Sequence, residues 1–191
     1  MDKKKERIIN IPNTLTALRI ILVPLLFFLL SKNQTIAFFI MYILVGSTDF
    51  FDGLLARKLN QMTHFGKTLD SVADLVFYIS TAAFSYILFP EIITNNLGII
   101  LVFFSILILS FIISFIKIGK PQLLHTLVLK FNAVLLYFIF ISSFFFNTTI
   151  LVKILIVIYY IGFAEEILIF ILYGDVDPDT KSLWHLMKDK K

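Results

Sequence analysis

The sequence predicts an all-α protein that crosses a membrane six times, with short interfacial helices at its amino and carboxyl ends. Three observations carry this. Hydrophobic residues make up 59% of the chain and charged ones 16%, with a mean hydropathy of +0.92, well outside the range of soluble domains. Apolar runs of spanning length recur, separated by short turns rich in Asn, Pro, Gly and Lys. Lys and Arg gather at the ends of those runs, whereas several acids sit inside them. No cysteine is present, which excludes disulfides, thiolate metal sites and Cys nucleophiles. No basic face with groove-reading or aromatic elements is visible, so nucleic acid is not an expected partner.

Taken in order, residues 1–13 read as an amphipathic segment on an anionic leaflet. Lys3, Lys4, Lys5 and Arg7 precede Ile8, Ile9 and Ile11, and no small-residue cleavage site follows. Asn13 or Thr14 is expected to cap a first membrane helix at about 14–31. Arg19 would then lie little more than one turn inside it, either snorkelling to the interface or facing a phosphate. The polar gap from Ser31 to Gln34 precedes a second helix, about 35–58. The third runs about 66–89, with Pro90, Asn95 and Asn96 as its outer turn, and an uncharged fourth spans about 97–116. Lys117, Gly119, Lys120 and Pro121 turn the chain into a fifth, about 123–146, which holds His125, Lys130 and Asn132. The sixth, about 150–173, contains Glu165 and Glu166 and ends at Gly174. One domain thus covers 1–191, with the six-helix bundle at 14–173 and a tail at 174–191.

Asp175, Asp177 and Asp179 imitate the start of a calcium loop. Thr180 stands where that loop needs Gly, and Leu186 where it needs Glu, so calcium is not expected. Asp179 should instead open a short interfacial helix carrying Leu183, Trp184 and Met187, with Lys188, Lys190 and Lys191 toward anionic lipid. His64 and His185 read as ordinary surface histidines. The amino terminus, the 57–67 turn, the 117–120 turn and the tail are basic, while the 90–96 and 147–149 turns have no Lys or Arg. The positive-inside rule therefore puts both termini and the 57–67 turn in the cytoplasm of a multi-pass cell-membrane protein.

The chemistry concentrates at residues 49–74. Asp49, Asp52, Gly53 and Ala56 recur at i, i+3, i+4, i+7, and Gly66, Asp70 and Asp74 at i, i+4, i+8, so each set shares one helix face. On antiparallel helices, Asp49 and Asp74 would sit ~12 Å from the turn, with Asp52 and Asp70 together at a shallower level. Acids inside a membrane are costly and default to function. Four carboxylates on facing helices would make a hard-oxygen cage suited to Mg²⁺ or Mn²⁺, with small residues that let a ligand approach the backbone.

These residues, D-x-x-D-G-x-x-A-R-x8-G-x3-D-x3-D from Asp49 to Asp74, resemble the signature of the CDP-alcohol phosphatidyltransferase family at every fixed position. The resemblance implies a six-helix bundle open to the cytoplasm and transfer of a phosphatidyl group from CDP-diacylglycerol to an alcohol, with release of CMP. It implies that Asp49, Asp52 and Asp70 are metal ligands for two ions. Asp74 would be the general base and would also touch a metal. Asp52, Gly53, Ala56, Arg57 and Gly66 would lie against the cytidine diphosphate. A homodimer is compatible with it.

The segment from Asn10 to Ile20 resembles the first helix of the family's phosphatidylglycerophosphate and cardiolipin synthases, which points to glycerol 3-phosphate as acceptor. The last motif reads Asp70-Ser-Val-Ala-Asp74-Leu, where glycerophosphate enzymes of the family read Asp-Pro-x-Ala-Asp-Lys. Its Ser resembles the serine and inositol-phosphate branches, so inositol phosphate, serine and phosphatidylglycerol stay open as acceptors. A phosphorylated acceptor wants a basic pocket, for which Lys117, Lys120, His125 and Lys130 are candidates. Glu165 and Glu166 lie at the depth of Lys130 on the neighbouring helix, so one is expected to pair with it and the other to contact the acceptor. An intramembrane prenyltransferase would want a longer chain, and a transporter would show internal repeats.

Overall fold

The computed structural model describes residues 10–59, 61, 63–120, 122–124, 126–178 and 180–189, leaving aside the side chains of residues 50, 57, 64, 67, 71 and 189. The expected segment at 1–9 and the expected helix start at Asp179 lie outside the described residues. Among those described, 83% are helical and none forms a strand. Five helices are long and apolar enough to cross a membrane, and one further apolar helix is shorter. The chain divides between Ile87 and Leu88 into two compact units.

The first unit holds α1 (Ile11–Ser31), α2 (Thr35–Lys58) and α3 (His64–Leu88). Helix α1 begins three residues earlier than the sequence suggests. Asn10 is the cap, its side chain accepting the Asn13 N–H at 2.8 Å. Pro12 suits the first turn, where its missing N–H costs nothing. Asn33, at φ 56°, turns the chain into α2 while the N–H groups of Asn33 and Gln34 satisfy the last carbonyls of α1. The buried face of α1 changes character along its length: Pro12, Asn13, Thr16 and Arg19, then Val23 and Leu26. Its apolar end meets an aromatic cluster, with Phe84 4.6 Å from Phe27 and 4.9 Å from Phe38. Tyr42 stacks on Phe77 at 5.1 Å and shares a 3.0 Å hydrogen bond with Thr81. Between membrane helices such contacts and hydrogen bonds replace the hydrophobic drive of a soluble core. The rigid aromatic end leaves the polar end to be shaped by α1.

The second unit holds α4 (Pro90–Asn95), α5 (Leu97–Ile118), α6 (Leu127–Ser142), α7 (Thr149–Tyr173) and α8 (Leu183–Asp189). Pro90, expected as a turn residue, opens the extra short helix α4 because it fits a first helical turn. Helix α6 corrects the expectation more strongly. It runs 16 residues rather than the 24 of 123–146, short of the ~20 that span a bilayer. At its start, Thr126 caps it, and the preceding strap is held by side chains from other helices. Gln122 N–H donates to Ser114 Oγ at 2.9 Å and Leu124 N–H to Glu166 Oε2 at 3.0 Å. Those bonds replace the ones a helix would supply, so the chain stays unwound there. Lys130 is consequently the fourth residue of α6, not one seven residues deep.

Gly162 is where α7 meets α6, since a Cβ there would lie 2.7 Å from Leu129. After Gly174 the tail packs on the same unit: Leu124, Ile169 and Phe170 form a buried cluster against which Val176, Leu183 and Leu186 lie. Helix α8 begins at Leu183 and leaves Trp184 and Met187 exposed, as an interfacial helix requires.

Candidate active site

The site is built on the polar end of the first unit. Helix α2 presents Asp49 and Asp52, and α3 presents Asp70 and Asp74. Carboxylate oxygens of Asp49, Asp70 and Asp74 lie within 4.8 Å of one another. Asp52 is set apart from these three. It is 4% exposed, and its Oδ2 accepts from Thr16 Oγ1 at 2.9 Å and from Arg19 Nη2 at 2.8 Å. The arrangement is therefore three clustered acids and one seated against α1, rather than two pairs at matched depths.

Of the two expectations for Arg19, snorkelling is excluded and a place facing the site remains. It is 1% exposed and does not snorkel. Its Nη2 lies 2.9 Å from Asp49 Oδ1 and 2.8 Å from Asp52 Oδ2; its Nη1 lies 2.6 Å from Asp74 Oδ1 and 3.7 Å from Asp70 Oδ1. One guanidinium thus reaches four carboxylates on two helices. The planar fork of arginine suits this division, one Nη to each helix. Arg19 is thus a cation that all four acids share. Three converging carboxylates are the oxygen donor set that Mg²⁺ or Mn²⁺ takes, and the residues fit a divalent cation.

Helix α1 also fixes the motif turn. Asn10 Nδ2 donates to Gln61 O at 3.3 Å, and Asn13 Nδ2 to Thr63 Oγ1 at 3.4 Å. Thr63 Oγ1 in turn accepts the Gly66 N–H at 2.9 Å and starts α3. Asn10, Asn13 and Thr16 are site residues that the motif search missed. Their signal was present, since Asn13, Thr16 and Arg19 recur every three residues on one helical face.

The two motif glycines differ. A Cβ at Gly66 would overlap Asn13 Oδ1 and lie 2.9 Å from Thr63 Oγ1, so close packing within the chain explains that glycine. A Cβ at Gly53 would meet nothing within 4 Å, and the residue is exposed. Ala56 is half-buried on the same helix, and the Arg57 side chain lies outside the described structure.

The residues expected to read the acceptor all belong to the second unit. Lys117 is exposed in the last turn of α5, and Lys130 is exposed at the start of α6. Lys120 Nζ pairs with Asp175 at 3.1 Å, an exposed ion pair of little energetic weight. His125 lies outside the described residues. Glu166 is fully buried and accepts from Ser110 Oγ as well as from Leu124 N–H. Glu165 Oε1 accepts the Leu183 N–H at 2.9 Å. Adjacent glutamates thus hold the strap before α6 and the start of α8.

Long apolar helices, two of which carry clustered acids, define a polytopic membrane protein with a candidate site among those acids. The chain belongs to the CDP-alcohol phosphatidyltransferase family, whose profile matches residues 9–168. Among curated proteins it is 47% identical over 74 residues to the CDP-diacylglycerol--glycerol-3-phosphate 3-phosphatidyltransferase of Wigglesworthia glossinidia brevipalpis, covering 37% of this chain and 41% of that one. Similarity to the enzyme of the same name from Aquifex aeolicus is 41% over 68 residues, covering 36% and 38%. For Escherichia coli (strain K12) it is 46% over 70 residues, covering 35% and 38%. The chain therefore spans about two fifths of the length of the curated relatives it matches.

Proposed function

We propose that this protein transfers the phosphatidyl group of CDP-diacylglycerol to glycerol 3-phosphate and releases CMP. The observation that carries the reading is the convergence of Asp49, Asp70 and Asp74 beside a single guanidinium, in a chain of this family. The relatives' names support glycerol 3-phosphate over serine, inositol phosphate or phosphatidylglycerol, and favour neither a prenyltransferase nor a transporter.

Asp49, Asp70 and Asp74, with Asp52 at their edge, would hold the divalent cations, two by family resemblance. When bound, these neutralise phosphate oxygens and make the phosphorus more electrophilic. The open face at Gly53 leaves room for the nucleotide to approach α2, with Ala56, Arg57 and Gly66 along the same entry. Asp74 takes the proton from the acceptor hydroxyl. The freed oxygen attacks the lipid-bearing β-phosphorus, the bond to the CMP oxygen breaks, and CMP carries that electron pair away. No covalent enzyme intermediate is needed. For the acceptor, Lys117, Lys120, His125 and Lys130 are the candidates to meet the phosphate of glycerol 3-phosphate, and Glu165 and Glu166 to contact its hydroxyls.

The same proposal places both termini and the motif turn in the cytoplasm and the protein in a homodimer. Because the chain has no cysteine, single cysteines introduced at Glu91 and Lys117 report sidedness by impermeant labelling; mass measurement in detergent reports assembly. For the acceptor, purified protein is given CDP-diacylglycerol with glycerol 3-phosphate, serine, inositol 1-phosphate, glycerol or phosphatidylglycerol. Fastest turnover with glycerol 3-phosphate is expected; equal use of glycerol and glycerol 3-phosphate overturns the assignment.

A further inference from the structure

We propose that Arg19 is a resident counter-ion which competes with the divalent cation, so that the ion enters only as the guanidinium gives way. The inference rests on the acid cluster being a cation site. Its basis is that the same three residues serve both cations. Arg19 holds Asp49 Oδ1 and Asp74 Oδ1 through different Nη atoms and lies 3.7 Å from Asp70 Oδ1. Asp49, Asp70 and Asp74 are also the residues whose oxygens converge within 4.8 Å. A cation touching all three needs the space between α2 and α3 that the guanidinium fills, at oxygen distances near 2.0–2.1 Å for Mg²⁺. Two positive centres held by one small set of carboxylates repel each other at such short range.

The surroundings suit an exchange. Asp52 stays seated if Arg19 leaves, because Thr16 Oγ1 bonds the same Oδ2 at 2.9 Å. Thr48 Oγ1, 3.4 Å from Arg19 Nε, is a further side-chain contact of the arginine, and it is long and weak. Until the ion arrives, Arg19 ties α1 to acids on both α2 and α3 and offsets part of their repulsion. The metal-free protein therefore keeps its site assembled, and the ion finds the ligands already gathered.

The test measures Mn²⁺ binding by the signal of free Mn²⁺ in electron paramagnetic resonance, without lipid substrate, on full-length wild type, Arg19→Gln and Arg19→Lys in nanodiscs. Thermal unfolding without metal is followed in parallel. Removing the competing charge should tighten Mn²⁺ binding at least about tenfold in Arg19→Gln, since a full unit charge near the ion is worth more than one decade of affinity. Arg19→Lys keeps the charge but not the fork, so its affinity should fall between the two. Metal-free Arg19→Gln should unfold at a lower temperature than wild type, and saturating Mn²⁺ should narrow that gap. Equal or weaker Mn²⁺ binding in both variants overturns the competition while leaving the proposed reaction standing. If Arg19→Gln does not fold, Arg19→Lys decides by the same direction. Absence of Mn²⁺ binding in every form overturns both readings.

Discussion

Gly53→Ala separates a glycine kept for the fold from one kept for a ligand. Gly53 lies inside α2, where glycine costs roughly 0.5–1 kcal/mol relative to alanine. Among the described residues the added methyl would meet nothing within 4 Å beyond its own stretch of helix, so nothing there offsets the gain in helix propensity. Stability should rise by about that amount, or roughly 2–4 °C in thermal midpoint per kcal/mol for a chain of this size. Activity should move the other way. If the nucleotide rests against the bare backbone at Gly53, a methyl displaces it by about 1 Å, and misplacement of that order costs about 100-fold in rate. The assay pairs thermal unfolding in detergent with kcat and KM for CDP-diacylglycerol. A more stable protein with unchanged donor kinetics would refute the ligand reading. Gly66→Ala is the contrasting control: overlap with Asn13 Oδ1 and Thr63 Oγ1 should cost about 1–3 kcal/mol of stability. Asn13→Ala in the same chain should return part of it.

Asp74→Asn should keep CDP-diacylglycerol binding and lose turnover by about 10²–10⁴-fold, the usual range for removing a general base; loss of donor binding with intact turnover per complex would contradict the assignment. Glu166→Ala should lower stability by about 1–3 kcal/mol, because it leaves the buried Leu124 N–H without its acceptor. Thermal unfolding checks this, and an unchanged midpoint would contradict it. Lys130→Ala should raise KM for glycerol 3-phosphate more than KM for the donor, and equal rises in steady-state assays would remove Lys130 from the acceptor side.

The spans and the acid motif were legible because both rest on local periodicity. Asp49, Asp52, Asp70 and Asp74 announce themselves as charges at helical spacing inside apolar runs. For Arg19 the sequence left snorkelling open beside a site-facing role, and the reason is its depth. A helix starting at about 14 puts it near the interface, whereas the Asn10 cap and Pro12 start the helix at Ile11 and bury it ~12 Å along. That is the level reasoned for Asp49 and Asp74, so the cap decides whether arginine meets water or carboxylates. The short α6 was not legible in its own residues. Leu124 and Gln122 leave the helix because Glu166 and Ser114, remote in sequence, accept their N–H groups. Periodicity within 123–146 carries no trace of those partners.

The central claim is that the acid cluster of the first three helices drives CMP release from CDP-diacylglycerol. It is tested most directly by measuring CMP release from purified wild type and Asp70→Asn in nanodiscs, with glycerol 3-phosphate, with and without a divalent-cation chelator. The account predicts rapid release by wild type, abolished by the chelator and restored by Mg²⁺ or Mn²⁺, and none from folded Asp70→Asn. Release by Asp70→Asn at the wild-type rate, or by wild type with every divalent cation removed, would contradict it.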